Sequence, residues 1–432
     1  MATTALKVEI IHRETLKPSS PTPYNLKNFK LCLIDQLAPT MYVPLILFYP
    51  HVNNGVDEAE KKTQLLKKTL SETLTLFYPL AGRIKTHDSI VCNDEGVEFF
   101  KAQANFPLSK ILEKPNTYFL RKFLAAEPES IQARTGALLL VQVTFFQCGG
   151  MAIGISSSHK IGDASTLSAF LKSWTSMAVF GSEHGLVPEF NAAELLPPSD
   201  DFQPLEKIPG KCRTSRFVFY PKKIASLKEN SSSESVKNPS RIEAVSSILW
   251  KSVAQASRSN NGFMKTCVFA QTVNIRARTS PPLSENLAGN FFGIIPAKLD
   301  ENENGDDLKV LVAKLRKGIE EVKEFFGKKG LDVERVKQAM LKCGEMIRNE
   351  EMVDNYNCSS WFRFPLYEVD FGWGKPIWVS MSGMTFKNFI FLLPTRDGDG
   401  IEAWLSLTDE DMDLVETDQE LLDFACLEPS VV

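Results

Sequence analysis

The chain has 432 residues, of which 43% are apolar and 24% charged, a balance typical of a soluble globular protein with more than one domain. Its formal net charge is −4, which does not favour binding to nucleic acid or to an anionic membrane surface. It contains no apolar run of about 18 residues and no signal-peptide pattern, so we expect a cytoplasmic protein without membrane spans.

The first half alternates predicted strands and helices. Strands are predicted for Lys7–Glu14, from its alternating pattern, and for the apolar segment Tyr42–Tyr49. The segment Asp57–Leu76 has apolar residues at helical spacing and is predicted to be a helix. Ile90–Phe100 contains the turn sequence NDEG between two strand-like runs, which predicts a hairpin.

The region around His159 carries the most chemical information. Two strands, Ala137–Gln147 and Met151–Ser158, are joined by a Cys-Gly-Gly turn, and a helix with periodic apolar residues follows. Asp163 stands at the N-cap position of that helix. The sequence therefore places His159 at a junction between a strand and a helix.

The second half is predicted to follow a proline-rich linker at 188–212, which would separate domains 1–187 and 213–432. A helix is predicted to begin after Pro239-Ser240. The remaining predicted elements are the strands Ser215–Tyr220, Cys267–Asn274, Trp378–Met381, Asn388–Leu393 and Gly400–Leu407 and the helices Arg241–Arg258, Asp307–Phe326 and Asp332–Arg348.

His159 is a candidate general base because an imidazole can accept a proton from a hydroxyl near neutral pH. The small residues before it and Gly162 after it would leave room for a ligand. The alternative is a hydrogen-bonded polar residue without a catalytic role. Asp163 likewise has a structural and a catalytic interpretation. It is either a helix cap paired with a cation such as Arg276, or a carboxylate that forms a catalytic dyad with His159.

Other kinds of site receive less support. The eight cysteines are scattered without metal-ligand spacing, which indicates buried free thiols and no metal site. The sequence has no GxSxG nucleophile motif, no Walker loop and no GxGxxG motif. We therefore expect the base to act directly on a substrate group. The segment Asp370–Gly374 (DFGWG) predicts a tight turn, either structural or ligand-binding.

HxxxD at 159–163 together with DFGWG at 370–374 resembles the signature pair of the plant BAHD acyltransferases. The other matching landmarks are FYPLAGR at 77–83, Asp35-Gln36, QTVNIR at 271–276 and Gly289-Asn290. The segments KPSSPTP (17–23) and ILFYP (46–50) are most similar to the branch with vinorine synthase, salutaridinol acetyltransferase and fruit alcohol acyltransferases. The resemblance covers nearly the whole chain.

The resemblance implies an α/β fold of two chloramphenicol-acetyltransferase-like domains, each a mixed sheet with flanking helices, joined by a crossover loop. Acyl-CoA, most often acetyl-CoA, would donate the acyl group to a small-molecule alcohol, without a metal, in a monomeric enzyme. The implied catalytic residues are His159, Asp163 and Asp370, although both aspartates are expected to be mainly structural. The implied CoA contacts are Ser246, Asn290, Gly372, Trp373 and Gly374.

Two alternatives to O-acyl transfer remain at this point. One is an N-acyltransferase or condensation-type enzyme, but condensation domains of peptide synthetases carry HHxxxD, whereas Ser158 precedes His159 here. The other is a CoA-binding family member without catalytic activity, for which the intact His159 gives no support.

Overall fold

The computed structural model describes residues 5–51, 56–200, 210–263, 265–303, 305–327, 331–347 and 353–432. The strands are β1 (Val8–Leu16), β2 (Asn28–Lys30), β3 (Tyr42–Tyr49), β4 (Arg83–Thr86), β5 (Ser89–Val91), β6 (Val97–Ala104), β7 (Leu139–Phe145), β8 (Met151–Ser158), β9 (Arg213–Phe219), β10 (Thr266–Asn274), β11 (Phe292–Leu299), β12 (Val353–Ser360), β13 (Trp378–Ser380), β14 (Phe389–Pro394), β15 (Ile401–Leu407) and β16 (Cys426–Leu427). The helices are α1 (Leu33–Leu37), α2 (Val56–Leu76), α3 (Ser109–Glu113), α4 (Thr117–Leu120), α5 (Ala164–Phe180), α6 (Ala192–Leu195), α7 (Pro221–Asn230), α8 (Arg241–Asn261), α9 (Leu308–Gly327), α10 (Val333–Ile347), α11 (Asp409–Val415) and α12 (Gln419–Phe424).

Two large mixed sheets organise the described part of the chain, which confirms the expected α/β class. The first has the strand order β1-β6-β7-β8-β3-β13, with β6 and β7 parallel. The second has the order β11-β10-β12-β14-β15-β9-β16, with β10, β12 and β14 parallel to one another. A small third sheet, β2-β5-β4, packs Phe29 and Ile90 into the same core as the first sheet. Helices α2 and α5 bury Leu70 and Trp174 in the core of the first sheet, and α8 buries Trp250 in the core of the second.

Strand β13 connects the two halves. It lies between β12 and β14 in the chain, yet it pairs with β3 in the first sheet, with Trp378 opposite Phe48. The Trp378 ring stacks on Phe48 at 5.2 Å between centroids and on Trp404 of β15 at 6.2 Å. The domain limits 1–187, 188–212 and 213–432 stay a prediction, and residues 201–209 of the linker lie outside the described residues.

Helix α8 begins where the sequence predicts. The Ser240 hydroxyl accepts a hydrogen bond from the Glu243 N–H (3.2 Å), and the Glu243 carboxylate accepts one from the Ser240 N–H (2.7 Å). This reciprocal capping satisfies two N–H groups that the first turn of a helix leaves without partners.

The predicted hairpin at Ile90–Phe100 is wrong. Strand β5 pairs with β2 and β4, whereas β6 pairs with β1 and β7 in another sheet. The NDEG segment does form a turn, because Asp94 and Gly96 both have positive φ (58° and 93°). However, the Asp94 carboxylate accepts hydrogen bonds from Thr22, and the Gly96 N–H donates to the Ala81 carbonyl. The turn therefore carries the chain from one sheet to another.

Gly154 of β8 offers a test of the packing behind the candidate site. A Cβ atom added there would lie 1.8 Å from the Phe123 carbonyl oxygen, a backbone atom that cannot rotate away. We expect Gly154→Ala to lower the free energy of unfolding by about 1–3 kcal/mol, measured by urea denaturation. Gly210→Ala is the matched control, since an added Cβ there meets no described atom within 4 Å. Equal stability of the two variants would contradict this packing.

Candidate active site

His159 lies between the end of β8 at Ser158 and the start of α5 at Ala164, as the sequence predicts. Its backbone N–H donates to the Met41 carbonyl at 3.0 Å, which ties it to the start of β3. The side chain is half-buried, and its ring centroid lies 6.1 Å from that of Phe292. The imidazole is therefore held at a strand end beside an aromatic ring.

Gly162 packs closely against the start of α5. An added Cβ would lie 2.6 Å from side-chain atoms of Thr166 in the first turn of α5. Close packing against that turn therefore explains the glycine.

Asp163 caps α5 and forms a buried ion pair. Its Oδ1 accepts hydrogen bonds from the backbone N–H groups of Ser165 (3.0 Å) and Thr166 (3.1 Å), which confirms the predicted N-cap. Its Oδ2 accepts from Arg276 Nη1 (2.8 Å) and from the Phe291 N–H (3.0 Å). The predicted pairing with Arg276 is therefore present.

Arg276 is 1% exposed and makes further bonds to the Leu287 and Gly289 carbonyls. Burial alone would raise the pKa of Asp163, but the Arg276 charge and the hydrogen bonds outweigh it and hold the pKa below its ordinary value. The carboxylate is thus ionised and engaged by the scaffold on both oxygens. This arrangement favours a structural role over a dyad with His159.

Asp35 and Asn290 form a second polar network next to His159. Asn290 Nδ2 donates to the His159 carbonyl (2.8 Å) and to Asp35 Oδ1 (2.8 Å). Asp35, in the buried helix α1, also accepts from the backbone N–H groups of Cys32 and Asn290. In the sequence, Asp35 is only a family landmark. Its place in a DQ pair does not indicate that it contacts the loop at 159–163, which we call the His159 loop.

Lys160 is another residue that the sequence did not single out. It is 5% exposed, and its ammonium donates to the Gln36 (2.6 Å) and Asp35 (3.3 Å) carbonyls near the end of α1. Burial lowers its pKa to about 8, against the opposing effect of the Asp35 charge. Lysine side chains are ordinarily exposed, so the sequence offers no indication of this burial.

The DFGWG segment forms the predicted turn. Asp370 Oδ1 accepts hydrogen bonds from the N–H groups of Gly372 (2.8 Å) and Gly374 (2.9 Å), which both have φ near 100°. This φ favours glycine over other residues at both positions. Trp373 stacks on Phe371 at 5.4 Å between centroids.

This turn and His159 lie at opposite ends of the same pair of strands. Val369 accepts a hydrogen bond from the Tyr49 hydroxyl, and Tyr49 pairs with Met151 at the start of β8, whereas His159 follows its end. A strand rises by about 3.3 Å per residue, which puts the two ends of β8 on the order of 20 Å apart. Asp370 therefore cannot touch the atoms on which His159 acts, and its assignment as catalytic is corrected to a turn-forming role.

Two of the expected CoA contacts are also corrected. Ser246 lies inside α8 and Asn290 lies behind His159, and both are 0% exposed. A cofactor cannot reach either side chain without a rearrangement of the core. Gly372 and Gly374 are exposed and Trp373 is half-buried, so these three residues remain available to a ligand.

Within the part of the chain that the structure describes, no group of three or more His, Cys, Asp or Glu side chains could hold a metal ion. Among the same residues, no helix has the length and apolarity needed to cross a membrane. The cysteines are all free thiols, but Cys148 and Cys426 are exposed, contrary to the expectation that they would be buried.

Comparison with known proteins places these features in a family. The family model described as the transferase family matches residues 6–422. A limonoid 7-O-acetyltransferase of Citrus sinensis is 38% identical, over 98% of this chain and 99% of the relative. Salutaridinol 7-O-acetyltransferase of Papaver somniferum is 35% identical, over 94% and 95%.

A crystal structure of vinorine synthase superposes with a TM-score of 0.87 at 34% identity, covering 99% of this chain and 100% of that one. Full-length matches at these identities cover both the His159 region and the DFGWG turn. The chain therefore belongs to the BAHD family of plant acyltransferases, enzymes that take their acyl group from acyl-CoA.

Proposed function

We propose that the protein transfers an acetyl or other short acyl group from acyl-CoA to a hydroxyl of an alkaloid, a terpenol or a similar specialised metabolite. His159 is the general base of this proposal. The observation that carries it is the placement of His159 at the β8–α5 junction, held on both sides of its backbone by Met41 and Asn290. We further propose that the enzyme works as a cytoplasmic monomer.

In the proposed reaction both substrates are bound at once. His159 removes the proton from the acceptor hydroxyl while the oxygen attacks the thioester carbonyl carbon. The tetrahedral intermediate then collapses, the carbon–sulfur bond breaks, and the imidazolium returns the proton to the CoA thiolate. General base assistance of this kind contributes roughly 10²–10⁴-fold to the rate. No acyl-enzyme forms, and Asp163 supports the loop without contacting the reacting atoms.

The relatives and one aromatic contact support the proposed acceptor class. Two relatives are named for O-acetylation of a limonoid and of salutaridinol, which supports acetyl as the donor group and a polycyclic alcohol as the acceptor. Phe292 lies beside the imidazole, whereas Phe291 is 0% exposed and Phe364 packs against Trp361. Of these three phenylalanines, Phe292 is thus the one that we expect to contact an apolar acceptor.

Phe292 provides a test of this acceptor contact. We expect Phe292→Ala to raise the KM for a polycyclic alcohol by roughly tenfold or more, because burying an aromatic side chain contributes about 1.5–3 kcal/mol. The KM for acyl-CoA should stay the same. Phe263→Ala, at a side chain that is 51% exposed, is the control. An unchanged acceptor KM would remove Phe292 from the acceptor site.

The proposed function is tested by a screen of acyl-CoA donors against alcohols and amines, with the products identified by mass spectrometry. We expect O-acetylated products from one or more polycyclic alcohols and acetyl-CoA. Acylation of amines alone would favour the N-acyltransferase alternative. Thermal stabilisation by acetyl-CoA without any product would favour the CoA-binding alternative.

A further inference from the structure

The Asn290 side chain forms a hydrogen bond with the backbone of the candidate base. Its amide nitrogen lies 2.8 Å from the His159 carbonyl oxygen and 2.8 Å from Asp35 Oδ1, so both of its hydrogens are used. The side chain is 0% exposed. Asn290 comes from the C-terminal half of the chain, whereas His159 and Asp35 belong to the N-terminal half.

Asp35 determines how the Asn290 amide is oriented. Both Asp35 oxygens accept hydrogen bonds, so the Asn290 amide turns its nitrogen toward Oδ1, and its second hydrogen then points to the His159 carbonyl. Asp35 Oδ1 also accepts from the Asn290 backbone N–H at 2.7 Å, which holds the same residue at a second point. Its Oδ2 accepts from the Cys32 N–H at 2.8 Å, which holds the carboxylate on α1.

The neighbours of Asn290 hold the other end of the His159 loop. The Gly289 carbonyl accepts from Arg276 Nη2 (2.9 Å), and the Phe291 N–H donates to Asp163 Oδ2 (3.0 Å). One tripeptide therefore contacts the loop at its first residue, His159, and supports it at its last, Asp163. Because these two contacts lie at opposite ends of the loop, the backbone of His159 has little freedom to shift.

We propose that Asn290 and Asp35 are positioning residues, with Asn290 holding the backbone of His159 and Asp35 orienting the Asn290 amide. This inference rests on the proposed function, in which His159 is the base. The two residues touch no reacting atom. Their effect is geometric: a displacement of about 1 Å in a catalytic group can lower a rate by roughly 10²-fold.

The kinetic test compares Asn290→Ala with a matched control. Tyr356→Phe also removes a buried hydrogen bond from a side chain to a backbone carbonyl. This bond joins the Tyr356 hydroxyl to the Val253 carbonyl (3.1 Å) in the core of the second sheet. At a temperature where both variants are folded, we expect Asn290→Ala to lower kcat by roughly 10–100-fold with KM values within about threefold of wild type. Tyr356→Phe should keep the wild-type kcat. Equal kcat values for the two variants would overturn the proposal.

A second measurement is independent of turnover. The chain has five histidines, so NMR of protein labelled at histidine Cε1 gives a small set of signals, and His159→Ala identifies the one from His159. We expect Asn290→Ala and Asp35→Asn to shift or broaden that signal, and Tyr356→Phe to leave it in place. If Asn290→Ala does not fold, Asn290→Ser replaces it, because serine is too short to reach both partners.

The two measurements separate this inference from the proposed function. Wild-type protein that acylates no alcohol would contradict the proposed function, while the NMR comparison would still decide the positioning of His159. An active wild type with an unshifted His159 signal in Asn290→Ala would overturn the positioning and leave the proposed function standing.

Discussion

His159→Ala should abolish nearly all acyl transfer while leaving the protein folded. We expect kcat to fall by roughly 10²–10⁴-fold, the contribution of a positioned general base. The fold should tolerate the change, because the side chain is half-buried and the loop is held through backbone hydrogen bonds to Met41 and Asn290. The measurement is turnover with acetyl-CoA and the best acceptor from the screen.

The control for this variant is His184→Ala, at an exposed histidine after α5. It should match the wild type in both turnover and thermal stability. Retention of more than about a tenth of the activity by His159→Ala would contradict its assignment as the base.

Asp163→Asn should destabilise the protein strongly, because it leaves Arg276 buried without its opposite charge. Removing one partner of a buried ion pair typically costs about 3–5 kcal/mol. The Asp163 side chain is 11% exposed and that of Arg276 is 1% exposed, so water cannot replace the lost interaction. We expect a large loss of unfolding free energy in urea and a lower soluble yield.

The matched control is the exposed pair Lys7–Glu9, which is also close, at 2.9 Å, but has side chains 64% and 61% exposed. Glu9→Gln should cost less than about 1 kcal/mol. The double variant Asp163→Asn/Arg276→Met should lose less than the sum of its single variants, since the two residues interact directly. A fully stable Asp163→Asn with a reduced rate would instead support a catalytic dyad.

The same pair predicts acid sensitivity. The pKa of Asp163 is lower in the folded protein than its ordinary value of about 3.9, so the unfolded chain binds this proton more readily. Its contribution to stability is therefore present above about pH 4 and is lost as the pH falls through the folded pKa. Urea denaturation of the wild type and of Asp163→Asn across this range should show the difference between them shrinking with acidification.

The sequence predicts well those features that depend on local backbone chemistry. The start of α8 at Ser240, the cap at Asp163 and the glycine-rich turn at 370–374 all arise from hydrogen bonds within a few residues. Such bonds have characteristic residue types and spacings. For the same reason, the residue pattern of 137–180 is enough to locate the junction that holds His159.

The sequence predicts less well those features that depend on contacts between distant segments of the chain. Strand β12 (VDNYNCSS) was not predicted, because its polar residues hide its position as a central strand between β10 and β14. The hairpin predicted at 90–100 is wrong, because a turn sequence does not determine which sheet the next strand joins. The spacing of HxxxD and DFGWG along the chain likewise does not reveal that they lie at opposite ends of β8.

The central claim is that His159 accepts the proton of the acceptor hydroxyl, and the pH dependence of kcat/KM tests it most directly. An acceptor that turns over slowly should be used, so that chemistry limits the rate. Between about pH 5 and 9, log kcat/KM should rise with a slope of one and then level off, as expected when a single imidazole must lose its proton. The residual rate of His159→Ala should lack this rise. A wild-type profile that is flat across this range, or one that His159→Ala reproduces, would contradict the claim.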